Sequence, residues 1–253
     1  MKIFGVATLS ILLANSISAQ VKTPEPPAAK VPFQSSLQAV VVTTKNWDAV
    51  SGTARIFERK DVRSKWRLVG DEFPVVVGAE GLAWGDDLPR QTAAPTLKQE
   101  GDGNAPAGLY PLTEAFGTST KPSGLELPYT KLGEFTECVD DTRSTFYNRI
   151  VNRMHVGNFD WKSSEKMLAV GDEYGLGVFV AYNSFPVVKG KGSCIFMHVW
   201  KDQATGTSGC TAMDRRNVER IVAWASPAKN PYLIQLTEED YKKYQRSWKL
   251  PKL

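Results

Sequence analysis

The stretch GSCIFMHVWKDQATGTSGCTAMDRRNVERIVAW, from Gly192 to Trp224, decides which fold and which chemistry we expect of this chain. Alternating side chains over 193–200 predict a strand, and Asp214 predicts the N-cap of an amphipathic helix. Between them lies a loop of small residues that ends at Cys210. A thiol just ahead of a helix start, with a histidine on a neighbouring strand, suits cysteine acyl transfer, because helix amides favour the thiolate and imidazole moves the proton.

The predicted nucleophile is Cys210, and the predicted general base is His198. Cys194 shares the predicted strand with His198, but four residues of extended chain span about 13 Å, which is too far for direct proton transfer. Cys210 follows His198 by 210 − 198 = 12 residues, across a loop that can bring the chain back. We therefore expect His198 to act on Cys210. The alternatives are a small buried cysteine in a turn and a core histidine bonded to backbone.

Backbone amides beside the cysteine form the expected oxyanion site. The amides of Gly209, Cys210 and Thr211 can point at one spot, and Gly209 permits close approach to a substrate carbonyl. Ser208 and Thr211 are expected to support this site, with plain loop and capping roles as the alternative. The sequence indicates no metal ligand and no cofactor, and it leaves the substrate-binding residues unknown.

Composition and charge restrict the possible classes of protein. With 253 residues, 42% hydrophobic and 23% charged, the chain has the composition of a globular protein. The net charge of +4 arises from 31 basic and 27 acidic residues with no run of like charge. A protein that binds nucleic acid would show a basic stripe, so we expect no nucleic-acid partner. A weak attraction to anionic cell-wall polymers fits this balance.

The N-terminal segment MKIFGVATLSILLANSISA predicts export. Lys2, an apolar core and small residues ending at Ala19 have the order of a secretory signal, and the core is too short to span a membrane. We expect a signal peptide over 1–19, a flexible proline-rich spacer over 20–36 and a single catalytic domain over 37–253. The mature protein is expected in the periplasm or cell wall, with no membrane span after signal removal.

Three cysteines occur in the chain: Cys138, Cys194 and Cys210. In an oxidising compartment an odd count indicates one thiol that is kept free. Since Cys210 is the predicted nucleophile, we expect a Cys138–Cys194 disulfide that closes a loop of 194 − 138 = 56 residues. This hypothesis rests only on the odd number of cysteines.

The remaining pattern predicts a mostly β fold with a few helices. An apolar stripe from Phe146 to Met154 has helical spacing, and His155 just after it is a minor candidate base. The density of glycine and proline over 98–112 predicts a loop. The predicted strands cover 37–44, 53–59, 66–69, 73–78, 178–182 and 193–200, followed by the closing strand PYLIQL and a terminal helix capped by Thr237.

The strand histidine in IFMHVW, followed by TSGC at 207–210 and a helix, resembles the L,D-transpeptidase catalytic domain of the YkuD family. GDGNAPAGLYPL is similar to the family's turn ahead of a strand, and WGDDL, FYNR, WKSSEKM and GSCIFMH resemble one branch of it. The likeness covers about residues 37–224. It implies a YkuD-like β-sandwich or barrel, with Cys210 as nucleophile and His198 as proton acceptor and donor held by a backbone carbonyl.

The resemblance also implies that the substrates are peptidoglycan stem peptides. The thiolate would attack the carbonyl of the third residue, commonly diaminopimelate, release terminal D-alanine and pass the acyl group to an amine on another stem. An L,D-carboxypeptidase that passes the same group to water shares every step up to the acyl-enzyme. The sequence leaves that alternative open.

Three features depart from the commoner family pattern. Many members carry His-Gly-Cys and then an arginine two residues after the cysteine, whereas this chain has Ser208 and Ala212 at those positions. The spacing from His198 to Cys210 is also shorter than most. The departures leave nucleophile and base in place, and they concern carboxylate recognition and the choice of acceptor.

A zinc site is a rival interpretation of the same residues. It would use His198, Cys210, Cys194 and His155, but their spacings match no compact ligand pair.

A cell-wall-binding module without turnover is a rival of a different class. It would use Trp84, Tyr182 and Trp200 as stacking surfaces, although aromatic side chains of this kind are more often part of a core.

Overall fold

The structure, a computed structural model, describes residues 32–85 and 96–253 together with Met1. Strands predominate, with two α-helices and three short 3-10 helices in the described part. The strands are β1 (Gln38–Thr44), β2 (Ser51–Glu58), β3 (Arg67–Leu68), β4 (Phe73–Val76), β5 (Leu82–Trp84), β6 (Ala105–Gly117), β7 (Tyr129–Lys131), β8 (Thr136–Cys138), β9 (Ile150–Asn152), β10 (Glu165–Lys166), β11 (Leu176–Val180), β12 (Phe196–Val199), β13 (Thr211–Met213) and β14 (Pro231–Thr237). The helices are α1 (Arg215–Trp224) and α2 (Glu238–Tyr244), with 3-10 turns at Pro32–Ser35, Met167–Tyr174 and Pro227–Lys229.

Eight strands close into a β-barrel. Their order is β1, β14, β6, β11, β12, β13, β4 and β2, and the ring closes because β2 pairs with β1. Most pairs are antiparallel, but β1 with β14 and β12 with β13 are parallel. Strand β3 extends the sheet beside β2, while β5 and β7 pair with β6. The predicted mostly β fold with a few helices is confirmed.

The barrel interior and its flanking helices share one apolar core. Helix α1 begins at the predicted cap, where the Asp214 side chain accepts from the Arg216 amide. Its buried face consists of Val218, Ile221 and Val222, which join the core. Burying each such side chain stabilises the fold by about 1.5–3 kcal/mol. The apolar spacing in the sequence therefore fixes both the helix and the face it presents to the barrel.

A small second sheet lies outside the barrel, in a segment that we call the cap, residues 136–174. Its strand order is β10, β8, β9, and Cys138 in β8 lies opposite Glu165 in β10. The fully buried Glu137 carboxylate accepts from Trp161 Nε1 at 2.8 Å and from Ser164 Oγ at 2.7 Å, and it pairs with Lys166 at 2.6 Å. The cap is thus organised around a buried charge that is paired with Lys166.

The helix predicted from Phe146 to Met154 is wrong, since this part of the cap consists of turns and strand β9. Tertiary hydrogen bonds override the spacing. Asn148 takes a φ of 63°, its Oδ1 accepts from the Cys194 amide at 2.9 Å, and its Nδ2 donates to the carbonyl of Tyr182. A left-handed residue held in this way breaks any helix through it.

The predicted spacer over 20–36 is wrong at its C-terminal end, because Pro32–Ser35 form a 3-10 turn whose Phe33 packs into the core. Phe33 is 1% exposed, and its ring stacks on Trp66 with centroids 5.3 Å apart. The Arg59 guanidinium donates to the Ser36 carbonyl at 2.7 Å. These contacts are tertiary, so a proline-rich segment without periodicity gave no sign of them. The signal peptide predicted over 1–19 and the spacer as far as residue 31 lie outside the described residues, Met1 apart.

The loop predicted over 98–112 is also wrong in its second half. Strand β6 starts at Ala105, runs for 13 residues and lies between β14 and β11 in the barrel. Glycine and proline suggested a loop here, whereas Gly108 is accommodated in the strand with a φ of 154°. Over residues 32–85 and 96–253, no helix is long and apolar enough to cross a membrane.

Candidate active site

Two adjacent parallel strands bring His198 and Cys210 to the same side of the barrel wall. In the β12–β13 register His198 lies opposite Ala212, which places Cys210 two residues back along the chain, just before β13. Two residues correspond to an offset of about 6.6 Å. The side chains of both residues line one cavity of about 510 Å³. The sequence-predicted pair is therefore brought together at one site.

The Cys210 thiol is enclosed by backbone and by aromatic side chains. Its Sγ lies 3.3 Å from the Phe196 amide, which donates to it, and 3.5 Å from the Cys194 carbonyl oxygen. The residue is 6% exposed. Burial, followed by the charge of Glu165, raises the pKa of the Cys210 thiol above its usual range, so the resting group is a neutral thiol.

The expectation that helix amides favour the thiolate is wrong. Strand β13 separates Cys210 from helix α1, and it is Asp214, four residues beyond the thiol, that caps that helix. Helix-dipole effects fade within the first turn, so the helix start does not act on the sulfur. The donor that contacts the sulfur is instead the Phe196 amide, and the Tyr174 hydroxyl also lies within reach of it.

The His198 ring is held by backbone carbonyls, as the family resemblance implied. Its Nδ1 lies 2.8 Å from the Val199 carbonyl oxygen, and a second backbone hydrogen bond joins the ring to Glu173. Burial lowers the pKa of His198 to about 4, although both backbone hydrogen bonds favour the protonated ring. The imidazole is therefore neutral at pH 7 and able to accept a proton.

A buried tyrosine from the cap contacts both members of the pair. The Tyr174 ring packs edge-on against His198 with centroids 5.2 Å apart. Its hydroxyl donates to Glu165 Oε2 at 2.6 Å and also lies within hydrogen-bonding reach of the Cys210 sulfur. Burial raises the pKa of Glu165 to about 7, and the charges of Asp140 and Glu100 add to this shift. Neither Tyr174 nor Glu165 was named from the sequence.

The loop that delivers Cys210 is pinned by a threonine side chain. Thr207 Oγ1 donates to the Cys210 carbonyl at 2.7 Å and accepts from the Gly209 amide at 3.1 Å. Gly209 has a φ of 147°, and a Cβ there would lie 3.0 Å from the Asn104 carbonyl oxygen. Both features hold the backbone beside the sulfur in one conformation.

The predicted oxyanion residues occupy different places. Ser208 is exposed at the cavity and Gly209 lines it, as expected for groups beside a substrate. Thr211 instead is buried, and its hydroxyl donates to Gln235 Oε1 at 2.7 Å. The supporting role expected of the Thr211 side chain is therefore wrong, because alternation along β13 turns it away from the cavity.

The cavity wall is mainly acidic. Glu100 accepts from Ser193 Oγ at 2.7 Å and from the Tyr147 hydroxyl, whereas Asp140 Oδ1 has no hydrogen-bond partner among the described residues. Lys98 is 3% exposed and pairs with Asp102 at 2.5 Å. The carboxylates on this wall are Glu100, Asp140, Glu165 and Glu173. Such a surface favours substrates that carry ammonium groups.

The predicted Cys138–Cys194 disulfide is confirmed, with Cα atoms 6.0 Å apart. It joins strand β8 of the cap to the segment that leads into β12. Cys194 has a φ of 56°, so regular strand starts only at Phe196 rather than at residue 193. Of the three cysteines, all in the described part of the chain, Cys210 alone is free. The bridge therefore ties the cap to the residue whose carbonyl contacts the thiol.

The rival sites find no support in this geometry. Cys194 is oxidised and His155 is an exposed cap residue, so the zinc set is not assembled. Within the described residues no group of three or more histidine, cysteine or acidic side chains is placed to hold a metal. Of the three aromatic residues expected to form stacking surfaces, Trp84 and Tyr182 are each 2% exposed, and Trp200 is partly buried against the core.

Several site residues were missed by reasoning from the sequence, and their signals differ. Glu165 lies in WKSSEKM, a segment that resembles one branch of the family but indicates no role for any of its residues. No local motif marks Tyr174, Asp140 or Lys98. The fold of the cap and the loop ahead of β6 bring them to the cavity, and this placement is not visible in the local sequence. The position of Thr207 two residues before a glycine could have indicated a side-chain turn.

Fold and site together define a β-barrel domain with a free buried thiol and a neutral imidazole at one cavity. The model of the YkuD family, the L,D-transpeptidase catalytic domain, matches residues 52–234. The chain belongs to this family, whose enzymes are acyltransferases that act on peptidoglycan outside the cytoplasm. No curated protein and no solved structure matched the chain.

Proposed function

We propose that this protein is an exported cysteine acyltransferase that transfers peptidoglycan stem peptides between amines. The observation that carries the proposal is the placement of the free Cys210 thiol and the neutral His198 imidazole at one acidic cavity within a YkuD domain. Cys210 is the nucleophile and His198 the general base and acid. The Cys138–Cys194 disulfide fits an oxidising compartment, such as the periplasm or cell wall.

Acylation begins with proton transfer from the Cys210 thiol to the His198 imidazole. The sulfur attacks the carbonyl carbon of the third stem residue and forms a C–S bond. Amides of the loop beside Gly209 hold the oxygen that becomes negative. The C–N bond to the terminal D-alanine then breaks, and imidazolium returns its proton to the leaving amine. A thioester on Cys210 remains.

Deacylation uses the same groups in reverse. A neutral acceptor amine attacks the thioester carbonyl, His198 takes the proton that the amine loses, and the sulfur leaves and regains a proton. The acidic wall, with Asp140 Oδ1 lacking a partner among the described residues, favours a substrate with primary amines. This charge supports an amine as acceptor over water, which a carboxypeptidase would use.

The test uses a carbapenem, which resembles the acyl donor of this family. We expect the intact mass of the protein to rise by one drug equivalent, and the adduct to lie on the peptide that contains Cys210. A Cys210→Ser variant is the control and should stay unlabelled. Equal labelling of that variant would refute the assignment of the nucleophile.

Separating transferase from hydrolase requires both acceptors in one experiment. Stem tetrapeptide is supplied with and without an amine-bearing acceptor peptide, and the products are identified by mass. We expect the cross-linked dimer to exceed the tripeptide product whenever acceptor is present. Tripeptide as sole product at all acceptor concentrations would favour the carboxypeptidase.

A further inference from the structure

The Tyr174 hydroxyl lies between two acceptors, and it has one proton to give. Tyr174 donates to Glu165 Oε2 at 2.6 Å, and the same oxygen is within hydrogen-bonding reach of Cys210 Sγ. A phenol carries a single O–H donor. The hydroxyl therefore cannot donate fully to the carboxylate and to the sulfur at the same time.

We propose that Glu165 acts as a positioning residue which, through Tyr174, sets whether the Cys210 sulfur receives a second hydrogen bond beside the one from the Phe196 amide. With an ionised Glu165, the Tyr174 proton is held by the carboxylate, and the sulfur faces a lone pair. With a protonated Glu165, the carboxyl O–H donates to the phenol oxygen, and the phenol proton is released toward the sulfur. The inference rests on the proposed role of Cys210 and deepens it.

Both consequences of Glu165 ionisation act on the thiol in the same direction. Loss of the donated hydrogen bond disfavours the thiolate, and the added negative charge disfavours it further. The resting thiol is buried, with its pKa raised, while burial lowers the pKa of the His198 base to about 4. Proton transfer between them is therefore uphill, and a further donor to the sulfur, beside the Phe196 amide, makes the thiolate more accessible.

The charged groups around Glu165 come from every element that packs against it. Asp140, after β8, and Glu100, in the loop before β6, both disfavour the ionised carboxylate. On the barrel side stand His198, neutral at pH 7, and Lys98, whose charge favours the thiolate and is partly offset by its ion pair with Asp102. With burial included, the pKa of Glu165 is about 7, so the switch operates near neutral pH.

The experiment measures the rate at which iodoacetamide alkylates Cys210 in the native, non-reduced protein from pH 5 to pH 9. Cys138 and Cys194 are bridged, so the mass gain reports Cys210 alone. For the unmodified chain we expect the logarithm of the rate to rise with pH, flatten near pH 7 and rise again. The bend marks Glu165 ionisation, which makes the thiol harder to deprotonate.

Glu165→Gln keeps the shape and mimics the protonated carboxyl. We expect a profile without the bend, equal to that of the unmodified chain at pH 5.5 and about fourfold faster at pH 9. The fourfold ratio corresponds to a thiol pKa that is about one unit lower in the variant. One unit raises the thiolate fraction about tenfold and lowers the nucleophilicity of the thiolate about 2.5-fold. A bend retained at the same pH in Glu165→Gln would overturn the inference.

Tyr174→Phe is a second, independent variant that keeps the ring against His198. We expect it to be slower than the unmodified chain at pH 5.5, equal at pH 9, and to show a smaller bend. Asp140→Asn is the matched control: it removes a nearby charge without touching Tyr174, so the bend should persist and move to lower pH. A profile for Tyr174→Phe that coincides with that of the unmodified chain would contradict the proposal.

The alkylation needs no peptidoglycan substrate, so its failure is separate from a failure of the proposed function. A bend lost in Glu165→Gln beside a carbapenem adduct on another residue would leave the switch intact and refute the nucleophile. An adduct on Cys210 with the bend retained in Glu165→Gln would support Cys210 as the nucleophile and refute the role of Glu165.

Discussion

The barrel strands β12 and β13 differ from the cap in how they place their functional side chains. Alternation and the register of these parallel neighbours place His198 and Cys210, together with the short loop just ahead of β13. The cap places Tyr174 and Glu165 through a separate sheet, a buried Glu137 cluster and a disulfide. The reacting groups thus lie on the barrel wall, while the groups that adjust them come from an attached layer.

This difference suggests a division of labour between the two regions. Removing a group from the wall should abolish the chemistry, whereas altering the cap should change its pH dependence and its stability. The cap acts on the thiol through the Tyr174 hydroxyl and the charge of Glu165. Three predictions test this division, beginning with the wall.

Replacing His198 or Cys210 with alanine should produce the largest effect. Each single change should lower kcat/KM on stem peptides by at least about 10³-fold, because one removes the proton acceptor and the other the nucleophile. The double variant should lose little more than either single one, since the two groups act as a unit. Turnover of purified stem tetrapeptide, followed by mass, measures both.

The chain's second histidine supplies the matched control. His155 is exposed on the cap, so His155→Ala should turn over substrate like the unmodified chain. Loss of activity on replacing His155, with activity retained on replacing His198, would reverse the assignment and break the division between wall and cap.

The sequence predicted the wall better than the cap for a physical reason. Local features of the sequence indicated His198, Cys210 and helix α1. These features are strand alternation, the TSGC turn and Asp214 as the N-cap residue of the helix. The position of Tyr174 depends on the fold of the cap, where the Asn148 and Glu137 hydrogen bonds outweigh the helical spacing. The sequence predicted a favoured thiolate, whereas burial favours the neutral thiol. The sequence could not indicate this, because no local pattern shows how much protein surrounds a side chain.

Removing the disulfide should cause the next largest effect, on stability. With both Cys138 and Cys194 replaced by serine, the unfolded chain regains the freedom of a 56-residue loop. We expect the free energy of unfolding to fall by roughly 4 kcal/mol, as measured by urea denaturation. Cys210 remains in this variant, so carbapenem labelling can report the site separately.

The control for the disulfide variant is the unmodified chain treated with reductant. Both samples should unfold at the same urea concentration, below that of the oxidised chain. A double variant as stable as the oxidised chain would show that the cap is attached by its side-chain contacts alone, and that the bridge is not needed to hold it.

The smallest predicted effect is on the pH dependence of stability. It compares the contribution of His198 on the wall with that of Glu165 on the cap. The pKa of His198 falls from 6.5 to about 4 on folding, so the unfolded chain binds more protons between those values. This contribution to stability is full above pH 6.5 and is lost as the pH falls to 4. The pKa of Glu165 rises from 4.5 to about 7, so its contribution is full below pH 4.5 and is lost as the pH rises to 7.

The two contributions oppose each other in the unmodified chain, and single variants separate them. Each shift of 2.5 pKa units corresponds to about 3 kcal/mol. Relative to the unmodified chain, Glu165→Gln should gain about 3 kcal/mol of stability as the pH rises from 4.5 to 7. His198→Gln should gain a similar amount as the pH falls from 6.5 to 4. Urea denaturation across this range measures both differences, and groups common to all three proteins cancel. If the two variants instead track the unmodified chain at every pH, neither side chain is buried as the fold requires, and the wall and the cap do not meet over the thiol.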